Sequence, residues 1–143
     1  MSINELNIAD AAYIAGLIDG EGTITLIREH KNENRRLVLS ISNTERYLLE
    51  YVLEKVGYGS ISTKKTYQDN HTPSFTYKLT SRKALDLVKQ IYPYLRTHKL
   101  KRAEMLLNDY VRLTPRNGKY SSELIEQRRK FENDFFRFSN TSS

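Results

Sequence analysis

A helical spacing of apolar side chains near the N-terminus ends in an acidic tip. From residue 8 to residue 20, small side chains fall on one side of a helical wheel and large apolar ones on the other. The small side consists of Ala9, Ala12, Gly16 and Gly20, and the large side of Tyr13, Ile14, Leu17 and Ile18. A helix that is apolar all round is buried on all sides, and small residues four apart let a second backbone approach closely. The pattern therefore predicts a core on one side of the helix and a tightly packed helix partner on the other.

Two acids close this predicted helix. Asp19 and Glu21 alternate with Gly20 and Gly22 at the end where the helix dipole is already negative. Carboxylates at that end are disfavoured by about 0.3–1 kcal/mol each. A bound cation would explain the two acids, and so would an ordinary capped turn. The residues alone leave both explanations open.

Alternating apolar and polar residues follow the helix and recur along the chain. They predict strands at 23–28, 35–42, 59–65 and 75–80. Helical spacing predicts helices at 44–56, 81–92, 94–113 and 122–136. Helix–strand–strand thus occurs twice, and four antiparallel strands with one apolar face need helices on that face. We expect one domain over 1–143 of class α+β, with an αββαββα core at about 5–113 and a C-terminal helix at about 121–137.

Local signals set the expected helix ends and docking positions. Ser42 and Glu45 have the spacing of a capping box, and Ser81 is the expected cap of the next helix. The second helix is expected to dock through Tyr47, Leu48, Tyr51, Val52 and Val56. The last helix is expected to dock through Leu124, Ile125, Phe131, Phe135 and Phe136.

The outward face of the predicted sheet is polar and basic. Apart from Glu29 near a turn, its positions carry no acid. A sheet that faces water usually mixes both signs of charge. The acid-poor face therefore favours a nucleic-acid saddle, because strands can lie in the major groove and contact base edges there.

Composition and charge narrow the function classes. The net charge of +6 favours a polyanion partner, most economically nucleic acid, with an ordinary basic domain as the alternative. Residues 96–102 add a run of cations at a predicted helix start, either a site for negative charge or a solvated face. The lack of cysteine excludes disulfides and cysteine nucleophiles, and His30, His71 and His98 have no ligand spacing for zinc. Without a signal peptide or a long apolar run, we expect a soluble intracellular protein with no membrane partner.

The segment Ile14–Gly22 resembles the nine-residue signature of the LAGLIDADG homing endonucleases. It departs from that signature at the first position (Ile for Leu), the seventh (Gly for Ala) and the eighth (Glu for Asp), and it keeps a carboxylate at the eighth. The order of elements, the size and the charge that follow are also similar to the family, and the resemblance covers about residues 5–113. A single copy of the motif resembles the homodimeric members.

The resemblance implies a homodimeric, site-specific endonuclease that cuts both strands of double-stranded DNA. Cleavage would occur across the minor groove of a nearly palindromic site, leave staggered ends and depend on Mg²⁺ or Mn²⁺. Sequence reading would come from Thr23, Thr25, Ile27, Arg36, Val38, Ser40, Ser60, Ser62, Lys64, Thr76 and Lys78. An intron RNA-splicing maturase and a non-cleaving DNA-binding module of the same fold are the alternatives.

The family pattern also assigns roles at the expected centre. Metal ligation falls to Glu21 and Gly20, and the dimer contact to Ala12, Gly16, Asp19 and Gly20. Asn43 matches an amide poised over the water network, or else it caps the next helix. Lys99 best matches a central basic residue, with Lys101 and His98 as alternatives. Asp19 is expected to tie helix ends together rather than to bind metal.

Overall fold

The computed structural model describes residues 2–28, 30, 34–64 and 72–139. The helices are α1 Ile8–Glu21, α2 Arg46–Val56, α3 Ser81–Ile91, α4 Lys99–Asp109 and α5 Ser122–Phe135, with a 3₁₀ turn at Tyr92–Tyr94. The strands are β1 Gly22–Ile27, β2 Arg36–Asn43, β3 Ser60–Lys64 and β4 Ser74–Thr80. The predicted α+β class and αββαββα order are confirmed. Glu29, His71 and the side chain of Lys64 lie outside the described residues.

The strands form one antiparallel sheet in the order β1-β2-β4-β3. β2 is central: it pairs with β1 so that Gly22 faces Ile41, and with β4 so that Ser40 faces Lys78. Successive side chains of a strand point to opposite faces, so one face collects the apolar set and the other the polar set. The helices cover the apolar face, where the strands bury Ile24, Leu26, Leu37, Leu39, Ile41, Tyr77 and Leu79. None of the described helices is both long enough and apolar enough to cross a membrane.

Helix α1 buries one side only in the single chain. Its buried residues are Ala11, Ile14, Ala15 and Ile18, whereas Ala9, Ala12, Gly16 and Gly20 are exposed. Tyr13 was expected with the large buried residues, but it lies beside the small ones and is 53% exposed. The Tyr13 ring packs edge-on against Tyr51 of α2, with the ring centroids 5.4 Å apart. The apolar pattern therefore has a core on one side and an open face on the other.

The expected caps of α2 and α3 are wrong. The Ser42 hydroxyl hydrogen-bonds to that of Thr76 across the sheet, at 2.8 Å, rather than capping α2. The amide oxygen of Asn43 accepts instead from the backbone N–H of Glu45, at 2.7 Å, so β2 extends to residue 43 and α2 begins at residue 46. Ser81 is the first residue of α3, with a φ of 56°, and does not cap it. For Ser42, a side-chain partner across the sheet overrides the local capping signal.

Of the residues expected to dock the second and last helices, several are exposed. Tyr47 is 82% exposed, and the buried residues of α2 are Leu49, Val52 and Val56. In α5, Phe131 and Phe135 are buried as expected, whereas Ile125 is 41% exposed and Phe136 is 38% exposed.

Helix α5 is held by a buried ion cluster that the sequence analysis missed. The guanidinium of Arg128, 1% exposed, donates to the Glu132 carboxylate at 3.0 Å and to the Leu113 carbonyl at 3.1 Å. The other carboxylate oxygen of Glu132 accepts from Arg35, at 3.1 Å. A buried charge is tolerated only when it is paired and hydrogen-bonded, as these are. The cluster fixes α5 against the start of β2.

The passage from α1 to β1 predicts a contrast between two neighbouring glycines. A methyl group at Gly22 would lie 2.8 Å from the Cα of Ile18 and 2.9 Å from the Ser40 carbonyl oxygen, whereas one at Gly20 would meet no heavy atom within 4 Å. We expect Gly22→Ala to lower the free energy of unfolding by about 1–3 kcal/mol. The matched control Gly20→Ala should not destabilise the chain, since alanine is the better helix former. Urea denaturation of dilute protein measures both, and an unchanged midpoint for Gly22→Ala would contradict the close approach.

Candidate catalytic centre and nucleic-acid interface

Helix α1 passes into strand β1 without a loop. Glu21 is the last residue of the helix and Gly22 the first of the strand, and the N–H of Gly22 donates to the Ile18 carbonyl. The missing side chain of Gly22 lets this junction lie against the Ile18 backbone and against Ser40 of β2. Glu21 is consequently positioned where the open face of α1 meets the edge of the sheet.

The Glu21 carboxylate is hydrogen-bonded by Asn43. The amide nitrogen of Asn43 donates to Glu21, and its amide oxygen accepts from the N–H of Glu45. Asn43 therefore bridges the acid and the turn ahead of α2 without being the N-cap of that helix, which is Glu45, and its role over a water network stays a prediction. Because its oxygen is held by the backbone ahead of α2, its nitrogen is oriented toward the acid.

Asp19 is used inside its own chain. Its carboxylate accepts from the Arg96 N–H at 2.7 Å, the Thr97 N–H at 3.2 Å and the Thr97 hydroxyl at 2.6 Å. These three bonds tie the end of α1 to the turn that precedes α4. The role of Asp19 at a dimer contact stays a prediction.

Lys99 lies at the negative end of α1. Its ammonium donates to the Ile18 carbonyl at 2.6 Å, which also accepts from the Gly22 N–H, and to the Asp19 carbonyl at 2.9 Å. Burial lowers the pKa of the Lys99 ammonium below its ordinary value; Arg102 also lowers it, and Asp19 opposes both. A cation placed at the start of α4 thus stabilises the end of another helix.

The two alternatives to Lys99 are positioned differently. Lys101 is exposed on α4. His98 is half-buried, and burial, helped by Arg102 and Lys99, lowers the pKa of its imidazole despite the opposing charge of Asp19. The imidazole therefore favours its neutral form. Among these three candidates, the structure describes a side-chain contact with the end of α1 for Lys99.

The outer face of the sheet carries pairs of hydroxyl groups that bridge neighbouring strands. Thr23 pairs with Ser40, and Ser42 with Thr76, each at 2.8 Å between oxygens. A hydroxyl has one donor and two acceptor positions, so each pair keeps capacity for a further bond. Exposed or half-buried positions of the predicted reading set are Thr23, Thr25, Ile27, Arg36, Ser40, Ser60, Ser62, Thr76 and Lys78.

Val38 differs from the rest of that set. It belongs to the outer face by its register, yet it is only 2% exposed. It is on the central strand, opposite Thr25 on one side and Thr80 on the other. Its side chain is therefore enclosed in this conformation rather than presented to a ligand, contrary to its predicted reading role.

The described part of one chain would supply only part of a metal site. The part of the chain that the structure describes contains no group of three or more histidine, cysteine or acidic side chains able to hold a metal ion. The exposed carboxylate of Glu21 and the nearby backbone are oxygen donors, which suit Mg²⁺ or Mn²⁺. The donor type fits a hard divalent ion, which would need further ligands beyond the described groups of one chain.

Comparison with known protein families decides the relationship. The model of the LAGLIDADG endonuclease family matches residues 14–115. The chain belongs to this family. The match begins inside α1 and includes every group of the centre described above. No curated protein matches the chain.

Solved structures of homing endonucleases and of a meganuclease have the same fold. The homing endonuclease I-CvuI, in complex with its target and in the presence of calcium, superposes with a TM-score of 0.73 at 16% identity, over 92% of this chain and 83% of that one. The archaeal intron-encoded homing endonuclease I-Vdi141I, complexed with DNA, gives 0.63 at 17% identity, over 94% and 87%. The meganuclease I-SmaMI, bound to uncleaveable DNA, gives 0.60 at 20% identity, over 89% of this chain and 45% of that one.

Thr97 is a residue of this LAGLIDADG centre that the sequence analysis did not single out. Its hydroxyl donates to Asp19 and accepts from the Lys99 N–H at 3.3 Å, so it connects the two. The only signal in the sequence was a threonine just ahead of a helical pattern, a common position for a capping hydroxyl. Its partner is 78 residues earlier in the chain and could not be inferred locally.

Substitutions of the two acids at the end of α1, Asp19 and Glu21, should differ in their effect on the free energy of unfolding. Asp19→Ala removes three hydrogen bonds to a carboxylate and leaves two backbone N–H groups without that acceptor, so the free energy of unfolding should fall by about 1–3 kcal/mol. Glu21→Ala is the matched control and should stay within about 0.5 kcal/mol of the parent, because it removes an exposed acid from a negative helix end. Denaturant unfolding measures both. Equal losses in the two variants would contradict the division of roles.

Proposed function

We propose that this LAGLIDADG protein is a homodimeric, site-specific DNA endonuclease that uses Mg²⁺ or Mn²⁺ to hydrolyse one phosphodiester in each strand. The single observation that supports this most is the position of Glu21. An exposed carboxylate, oriented by Asn43, lies between an open helix face and a polar sheet face. This arrangement suits an acid shared between two chains and one DNA duplex.

The open face of α1 supports the homodimer. Ala12, Gly16 and Gly20 are exposed, and a methyl group at either glycine would meet no heavy atom within 4 Å. Small residues spaced in this way let two helix backbones pack closely across a two-fold axis. A cavity of about 630 Å³ continues this face and adds the apolar side chains of Tyr13 and Tyr51. Packing of two α1 helices would cover apolar surface that one chain leaves in water.

A two-fold axis at α1 would also complete the metal site. It would bring the Glu21 carboxylates of both chains to the same place, with the Gly20 carbonyls beside them. Two carboxylates at close range repel each other strongly where water is excluded, and bound cations relieve this. Magnesium or manganese held there would polarise the scissile phosphate and lower the pKa of an attacking water.

The remaining groups of the centre would position the Glu21 carboxylate, stabilise charge on the phosphate and hold the DNA. Asn43 holds the orientation of Glu21 through a hydrogen bond to its carboxylate. Lys99 supplies positive charge at the end of α1, where negative charge would develop on the phosphate during hydrolysis. The outer sheet face would contact base edges through its hydroxyl pairs and cations, with bridging water for the short side chains. The cut would fall across the minor groove and leave staggered ends.

The acid is tested by Glu21→Gln, which keeps the size of the side chain and its acceptor for Asn43. Cleavage in Mg²⁺ should fall by at least about a thousandfold, because an amide ligates the ion poorly and cannot be deprotonated. Binding of the same duplex in Ca²⁺ should change by less than about threefold. Substrates come from selection of cleaved sites in a random DNA library with the parent enzyme. Cleavage retained by the variant would refute the assignment, and splicing of an intron without DNA cleavage would favour the maturase alternative.

The dimer is tested by Gly16→Leu. The added side chain enters open space in one chain, so the fold should be kept, but it would hold two α1 helices apart. We expect sedimentation to change from dimer to monomer at micromolar protein and cleavage of both strands to be lost. Asn133→Leu, on the exposed side of α5, is the matched control and should remain dimeric. A Gly16→Leu protein that still sediments as a dimer would contradict packing through this face.

A further inference from the structure

A second cationic surface adjoins the outer face of the sheet where β4 turns into α3. A cavity of about 650 Å³ opens there between the start of α3 and the loop after α4. A smaller one of about 440 Å³ shares Arg36, Thr80 and Lys83 with it and reaches Ser60 and Lys78 on the sheet. We call the two together the basic recess. No acid is among the described residues that line them.

The charge of the basic recess is only partly used by the fold. Its cations are Arg35, Arg36, Lys78, Arg82, Lys83, Arg116 and Arg128. Two of them, Arg35 and Arg128, share the carboxylate of Glu132 behind the recess. Arg82 and Lys83 lie in the first turn of α3, where positive charge opposes the helix dipole. A concentration of like charge with no acid among the described residues that line it points to an anionic ligand.

Several side chains of the basic recess are held in place by contacts with the rest of the fold. The Arg82 guanidinium donates to the Thr114 carbonyl at 2.8 Å, and Arg128 bonds the Leu113 carbonyl next to it. These contacts hold the loop that carries Arg116 against the start of α3. The Lys83 ammonium lies 4.5 Å from the centre of the Tyr58 ring, which keeps it on the side that faces the sheet.

We propose that the basic recess holds the sugar–phosphate backbone of the DNA duplex, on the flank of the segment that the sheet reads. The inference rests on the proposed function and extends its footprint outward from Glu21. The inference is supported by the continuity of the two surfaces, because Arg36 and Lys78 belong both to the recess and to the outer sheet face. One duplex lying on that face would therefore pass the recess. Lys83 and Arg116 then contact phosphates without reading sequence.

The test removes two of these charges. In Lys83→Gln/Arg116→Gln, the slope of log Kd against log salt for a long random-sequence duplex should fall by about two, and affinity at moderate salt should drop about tenfold. Lys89→Gln/Lys130→Gln is the charge-matched control, since these exposed lysines lie at the far end of α3 and on α5, and its slope should not change. The charge-keeping pair Lys83→Arg/Arg116→Lys should restore the parent slope. Thermal unfolding verifies that every variant is folded.

The outcomes separate this proposal from the proposed function. On a selected cleavage site, the variant should still cut at the same bonds but lose hydroxyl-radical protection of the backbone outside the cut. A reduced salt slope in a protein that does not cleave would support the recess and refute the endonuclease. Cleavage with an unchanged slope would overturn the recess alone. Affinity lost for folded RNA and kept for duplex DNA would overturn it in favour of an RNA surface.

Discussion

The direct passage of helix α1 into strand β1 is the constraint on which the rest of the structure depends. With no loop between Glu21 and Gly22, the direction of the helix, the register of the sheet and the position of the acid are set together. Only glycine allows it, because the backbone of Ile18 and the carbonyl of Ser40 occupy the space that a side chain would need. Interfaces that depend on a precisely placed acid are more accurately built on such rigid elements than on loops.

The contacts around this junction give the two acids, Asp19 and Glu21, different roles. The carboxylate of Asp19 is hydrogen-bonded to the turn before α4, and the ammonium of Lys99 to the last carbonyls of α1. The contact that the structure describes for Glu21 comes from the neutral amide of Asn43, which orients the carboxylate without cancelling its charge. An acid held in place but left anionic can attract a cation, whereas one paired with lysine would not. The electrostatic design of the centre is thus to neutralise the helix end while leaving one charge exposed.

The strands and their faces were predictable, because period-two alternation in a half-buried sheet depends on nothing beyond the strand itself. Cooperation between distant segments was not predictable. Arg128 and Glu132 look like a solvated i,i+4 pair, and their burial depends on carbonyl groups at Leu113 and on Arg35. Of the centre, the motif located Glu21 and Asp19, but the second partner of Asn43 and the bridge made by Thr97 depend on tertiary packing.

The apolar pattern of α1 also shows what a sequence can say about association. It predicted burial on all sides, and the single chain buries one side only, with Ala12, Gly16 and Tyr13 left in contact with water. The apolar pattern of a helix reflects every surface that is buried in the functional assembly, including surfaces that another molecule covers. The residues that are apolar by pattern but exposed by structure are therefore those to assign to a partner. In α1 most of them are small and lie close to Glu21, as the proposed homodimer requires.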